Sequence, residues 1–335
     1  MLTITELRKY ESGQWRSDHF ETLPSKISED AILWVDAEDP TQEEMAQLRS
    51  YFGLEDFNLE EFDESGMRSK IEEVEDRISC LVTYPNRDKF ILEAKTAWIA
   101  LMMSEKWMVS VHKGHSNVTC EIYKKISTHG YFALSLSPST DILLYIFLDL
   151  ITNECFLVSD LIHERLQGLS QEAASRFRQR PKESNRSLGL ELAKSREQVL
   201  ALRQSIGPLR EVVGRVARGE FAIVSSTRLP RFEDLYDRTI SLIEVADTHR
   251  QEIQDIGDIL INVQTLTTNN IIRVLTIISA IFLPLTLIAG IYGTDFGHGY
   301  FLPGSSSSYG FYVMIAIMIG IASGLIVVFR RKGWI

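Results

Sequence analysis

One apolar stretch carries a face that could do chemistry. Asn269, Ile272, Thr276, Ser279, Leu283, Thr286 and Gly290 advance in steps of three and four, so a helix would align them in one stripe. Amide and hydroxyl groups on a membrane helix either hydrogen-bond to a neighbouring helix or line a wet path for an ion. If the stripe is a path, two spans per chain cannot enclose it. A pore then needs several copies of one helix arranged by symmetry.

Other reactive groups lack the company that chemistry requires. His112 and His115 stand at H-x-x-H spacing without a third ligand nearby, and are expected in the turn after a strand at 107–111. There is no phosphate-binding G-x-x-x-x-G-K, no H-E-x-x-H and no G-x-S-x-G. The residues therefore predict no enzyme and no engine for ATP-driven transport. Ten acidic residues against two basic ones in 55–76 read as a solvated face. Cys80, Cys120 and Cys155 form no C-x-x-C pair and read as buried thiols in a reducing compartment.

The elements that must position the stripe are two long apolar runs. Residues 274–292 (VLTIISAIFLPLTLIAGIY) and 310–329 (GFYVMIAIMIGIASGLIVVF) hold 19 and 20 residues without a charge. At about 1.5 Å per residue each reaches roughly the ~30 Å hydrocarbon thickness of a bilayer. Arg273 precedes the first run, and Arg330, Arg331 and Lys332 follow the second. The loop between them holds no Lys or Arg, so the positive-inside rule expects both termini in the cytoplasm. The apolar run 142–147 is too short to span and meets Asp149, so a soluble amphipathic helix is expected there. No leader is expected, because residues 1–16 lack an apolar core.

The remainder reads as a large soluble part. The 335 residues carry a net charge of −10, and residues 1–273 carry −12. That acidic bulk argues against nucleic acid as a partner. Residues 31–35, 78–84, 97–101 and 107–111 read as strands, while 41–51 and 59–63 read as helices. Long helices are expected at 139–180 and 188–218, the second broken or kinked at Gly207–Pro208. From Arg231 only Gly257 precedes Pro284 among glycines and prolines, and no cap or turn cluster intervenes, so 231–292 reads as a single helix of roughly 90 Å at 1.5 Å per residue. Pro284 is tolerable because it falls within a membrane segment. Leu235, Leu242, His249, Ile256, Val263 and Asn270 recur every seven residues, as do Phe232, Thr239, Ala246, Ile253, Leu260 and Thr267. Such a seam serves oligomerisation, burial against the chain's own 188–218 helix, or both. The expected organisation is an α/β domain at 1–165, a helical stalk region at 166–268 and a transmembrane domain at 269–335.

With those elements placed, TNNIIRVLTIISAIFLPLTLIAGIYGTDF (268–296) resembles the pore helix of the CorA family of divalent-cation transporters. The ending FRRKGWI, with PLREVV, RFEDLYDRT and GLEDFNLEEFDESGMRSKIEEVEDRISCLVTY upstream, is similar to the same family. The resemblance implies a CorA-like funnel assembled as a homopentamer in the cell (inner) membrane, with a long stalk helix continuing into the pore. It places Asn269, Ile272, Leu275, Leu283, Thr286 and Gly290 at pore-facing positions. All but Leu275 lie on the stripe drawn from spacing. Thr286, Gly290 and Asn269 would ease a hydrated ion through, while Ile272, Leu275 and Leu283 would be hydrophobic gates that close by dewetting. Asp234 corresponds to the family's cytoplasmic regulatory acid.

At the pore mouth the chain departs from the family signature Tyr-Gly-Met-Asn, having Gly293, Thr294 and Asp295 after Tyr292. In a pentamer, five neutral amides become five carboxylates, which attract cations more strongly and discriminate less. The zinc-transporting, ZntB-like branch also varies this motif. His298 would add an imidazole that suits Zn2+, Co2+ or Ni2+ better than Mg2+. The implied function is divalent-cation transport, Mg2+ foremost, with divalent cations as both substrate and regulator and no other cofactor required. The implied partners are the chain itself and the lipid bilayer. The alternative is a non-conducting, divalent-sensing membrane scaffold on the same fold.

Overall fold

The structure is a computed structural model. It describes residues 1–9, 15–20, 22–24, 26–28, 31–54, 68–87, 94–127, 139–178, 185–293 and 309–334. The chain divides into two compact units: Met1–Ala173 with Asn185–Gly257, and Ala174–Ser184 with Asp258–Ile335.

A seven-stranded sheet organises the first unit. Its strands are β1 (Leu2–Lys9), β2 (Trp15–Phe20), β3 (Ala31–Glu38), β4 (Lys70–Val74), β5 (Arg77–Pro85), β6 (Thr96–Met103) and β7 (Trp107–His112), in spatial order β2-β1-β3-β7-β6-β5-β4. Only β3 and β7 run parallel, pairing Asp36 with Ser110 and Val35 with Val109. Every residue of β3 from Ala31 to Ala37 is buried, because both faces of this central strand are covered. Strand alternation sends Leu33, Val35 and Ala37 to one face, where they pack with Met45, Leu48 and Phe52 of α1 (Gln42–Phe52). Trp34 points the other way. It stacks on Tyr123 of α2 (Asn117–Ser127) at 4.6 Å and meets Phe147 edge-on.

The α/β class and the strands expected at 31–35, 78–84, 97–101 and 107–111 are present. So is the helix at 41–51, begun by a capping box in which Thr41 and Glu44 exchange hydrogen bonds. The helix expected at 59–63 lies outside the described residues. Strands β1, β2 and β4 are additions to the sequence reading. β4 falls inside the acidic run, with Ile71 buried and Glu72 and Glu73 exposed. The run is a charged edge strand there, which resists edge-to-edge pairing.

Three long helices complete the framework: α3 (Thr140–Arg178), α4 (Asn185–Ala217) and α5 (Leu229–Gly293). Pro208 lies inside α4, which continues through it, so the expected break is absent. Early α3 is not amphipathic as expected. Residues 140–144 and 146–152 are buried all round, and Asp149 is buried with them. The seam of α5 from Phe232 to Ile256 is buried within the single chain, against α3 and α4. Tyr145 meets the Phe232 ring edge-on, and Ser159 bonds His249. Of the two roles left open for the seam, the chain's own helices fill this part. Gly214 lets α4 approach closely, since a Cβ there would sit 2.9 Å from the Tyr236 ring.

In the second unit α5 runs on to Gly293, and α6 spans Gly310–Arg331. Three helices among the described residues are long and apolar enough to cross a membrane, and burial separates them. The most apolar window of α3 is 78 % buried, whereas those of α5 and α6 are 0 % buried.

Candidate ion pathway

The uncharged run from Val274 to Tyr292 is one continuous part of α5, with Pro284 accommodated inside it. Asn269, Ile272, Thr276, Ser279, Leu283, Thr286 and Gly290 are all exposed along it. Ile277, Ala280, Ile281, Pro284, Leu285, Ile288 and Tyr292 are half-buried instead. At 3.6 residues per turn the two sets lie about 150° apart around the helix. The polar–aliphatic stripe therefore lies within the wider arc of the helix that the folded chain leaves uncovered, an arc that also holds Ile278, Phe282, Leu287 and Ile291. Leu275, placed with it by resemblance, is exposed too, as are Ile272 and Leu283.

Backbone geometry sets what the stripe offers. Thr276 Oγ1 donates to Ile272 O and Thr286 Oγ1 donates to Phe282 O, each at 2.8 Å. With the hydroxyl protons used on the helix itself, each oxygen turns its lone pairs outward as acceptors. Pro284 has no N–H for the carbonyl four residues back, that of Ala280, but both residues belong to the half-buried face and not to the stripe. Acceptors without competing donors suit the water shell of a cation. No Asp, Glu, His, Lys or Arg interrupts residues 274–293.

Gly293 is the last described residue of α5. Thr294, Asp295 and His298 lie outside the described residues. At the far end of α6, Arg330, Arg331 and Lys332 are exposed, where their charge complements unpaired helix carbonyls. Gly333, at φ 68°, turns the chain back so that Trp334 stacks on Phe329 at 5.7 Å.

Within the first unit Asp234 is exposed on α5. The structure also brings forward positioning groups that sequence reasoning passed over. Arg238 of α5 donates to Asp149 and Asn153 of α3. Arg228, just before α5, donates to Ser139 and Asp141, and Asp141 also accepts from the Ser225 N–H at 3.0 Å. The only signal for this in the sequence was an acid inside an apolar run. His112 ends β7 rather than lying in the turn beyond it. Its Nε2 is 3.4 Å from Asp36, and its Nδ1 is 2.8 Å from the Gly114 carbonyl. Burial opposes its protonation, but Asp36 and the Gly114 carbonyl outweigh that and hold its pKa above the usual histidine value. His115 contacts the Cys120 thiol instead, so the H-x-x-H pair is divided between two partners.

Comparison with known proteins agrees with this architecture. The model of a family described as CorA-like Mg2+ transporter protein matches residues 29–331. A cobalt/magnesium transport protein CorA of Thermotoga maritima is 25 % identical over 334 residues, 99 % of this chain and 90 % of the relative. A zinc transport protein ZntB of Pectobacterium carotovorum is 23 % identical over 145 residues, 43 % of each chain. The complete structure of the CorA magnesium transporter from Methanocaldococcus jannaschii superposes with a TM-score of 0.84 at 22 % identity, covering 99 % of this chain and 98 % of that one.

Proposed function

The chain belongs to the CorA-like Mg2+ transporter family, and from that premise we propose that it conducts divalent cations through a membrane pore built from five copies of α5. The carrying observation is the stripe from Asn269 to Gly290, exposed in the single chain and opposite the half-buried face of the same helix. Five such stripes facing one axis would alternate acceptor rings at Asn269, Thr276 and Thr286 with aliphatic rings at Ile272 and Leu283. Rings of the second kind close a pore by dewetting and open it when they widen. Both termini face the cytoplasm of the cell membrane in this reading, which the basic flanks Arg273 and Arg330–Lys332 support.

The ion preference rests on the mouth and on relatives named for magnesium, cobalt/magnesium and zinc transport. Mg2+ is the first substrate, with Zn2+, Co2+ and Ni2+ admitted by the carboxylate of Asp295 and the imidazole of His298. Asp234 is the cytoplasmic acid through which the transported ion regulates the assembly.

Proteoliposomes loaded with an ion-sensitive dye, offered each of the four cations in turn, test the proposal together with mass measurement in nanodiscs. A pentamer with divalent flux is expected. A monomer or dimer removes the pore. A pentamer without flux moves the reading to the non-conducting scaffold, which the replacement of Met-Asn by Thr294-Asp295 favours.

A further inference from the structure

Away from the stripe, three side chains of the first unit converge where α3 packs on α5. His163 comes from α3, and His249 and Glu252 come from one turn of α5. Their candidate donor atoms all lie within 4.8 Å of one another. Glu252 Oε2 is 3.6 Å from His249 Nδ1 and 3.8 Å from His163 Nδ1, too far for hydrogen bonds. The two rings lie side by side, with centroids 5.6 Å apart.

His249 occupies a seam position between Leu242 and Ile256, where the heptad pattern calls for an aliphatic residue. Its side chain is only 4 % exposed, and Nδ1 is buried with no hydrogen-bond partner. A buried ring nitrogen without a hydrogen bond is destabilising unless something binds it. Nε2 is engaged by Ser159 Oγ at 3.0 Å. If Nε2 carries the proton and gives it to Ser159, the Nδ1 lone pair points at the carboxylate with no proton between them. Two electron-rich atoms held face to face are the arrangement a cation relieves.

We propose that His163, His249 and Glu252 bind a transition-metal dication of the Zn2+, Co2+ or Ni2+ class, tying α3 to α5. Ligands about 2.05 Å from a tetrahedral ion stand about 3.3 Å apart. The observed 3.6 and 3.8 Å are within a few tenths of that spacing. His163, 44 % exposed, has the freedom to close the remainder. Each imidazole also has an outer partner to set its tautomer. Ser159 serves His249, and the Gln167 amide nitrogen lies 2.8 Å from His163 Nε2, so a flip of that amide would present its oxygen to accept the ring proton. Two imidazoles and one carboxylate select borderline ions over Mg2+, which prefers oxygen ligands in an octahedron. The exposed side of the cluster leaves the fourth position to water. This site requires no ion flux and stands whether or not the chain conducts.

The test uses the full chain in detergent, with any histidine tag removed and Mg2+ in excess to occupy oxygen-only sites. Co2+ is then titrated and followed by its visible d–d absorption. One Co2+ per chain is expected, displaced by Zn2+ and not by Mg2+. His163→Ala and Glu252→Gln, both at partly exposed positions, should each weaken it at least ten-fold, with the far-UV spectrum unchanged. His249→Gln should do the same and serves as the buried third ligand's check. Unchanged Co2+ affinity and spectrum in His163→Ala and Glu252→Gln would overturn the site. So would displacement of Co2+ by Mg2+.

Discussion

Arg238, midway along the soluble part of α5, donates to Asp149, a carboxylate only 7 % exposed inside α3. The same guanidinium reaches Asn153 Oδ1 and lies 5.8 Å from the Phe156 ring centre. A fork-shaped cation thus fastens the helix that becomes the first span to the buried central helix. Removing it leaves Asp149 with weaker partners in a dry environment. Arg238→Ala should cost about 1–3 kcal/mol, and Arg238→Lys, which keeps the charge but loses the fork, should cost less. Thermal unfolding of the full chain measures both, and identical midpoints for Ala and wild type would refute the fastening.

Gly214 should tolerate no side chain. An added Cβ meets Tyr236 at 2.9 Å, so either the ring moves or α4 and α5 separate. Gly214→Ala is expected to cost about 1–3 kcal/mol despite alanine's better helix propensity. Gly168, with open space around it, is the control: Gly168→Ala should be neutral or stabilising. Denaturant midpoints compare them.

The His112–Asp36 contact makes a pH-dependent contribution. Because the folded state raises the histidine pKa, protonated His112 favours folding. That contribution is complete below about pH 6.5, the unfolded value, and is lost as pH rises through the folded value. The stability difference between wild type and His112→Gln should therefore shrink from acid to alkaline pH. A difference that is flat or grows with pH would contradict the pairing.

If ions enter past Asp295 as proposed, Asp295→Asn should weaken external cation accumulation and inhibition by hexammine-type cations, while shifting preference toward hydrated Mg2+. Asp295→Lys should abolish divalent entry by repulsion. Undiminished flux in the Lys variant would show that ions do not pass this ring.

If Asp234 is the regulatory acid proposed above, Asp234→Ala should reduce the thermal stabilisation given by millimolar divalent ions. Ligand bound only by the folded form raises apparent stability, and loss of an anionic ligand lowers it. If the shift with Mg2+ is the same in both proteins, Asp234 is not the regulatory acid.

Much of this protein was legible in its sequence because the deciding properties are local. Nineteen uncharged residues at 274–292 dictate a membrane-length apolar helix. With no turn cluster between its soluble and apolar stretches, α5 is continuous, and steps of three and four put Asn269 through Gly290 on one face whatever surrounds the helix. Strands β3 and β5 to β7 announced themselves by dense β-forming residues. Tertiary structure decided the matters that depend on partners. β1, β2 and β4 are strands because neighbours complete their hydrogen bonds, which their own composition does not reveal. In the sequence Asp149 follows a short apolar run expected in an amphipathic helix, yet it is buried, and that environment is made tolerable by Arg238, 89 residues away. The seam of α5 could have faced other chains, and from Phe232 to Ile256 the chain's own helices reached it. His163 stands beside His249 only because α3 and α5 pack. Periodicity belongs to each segment alone, whereas the identity of what covers a face emerges only when distant segments compete to bury it.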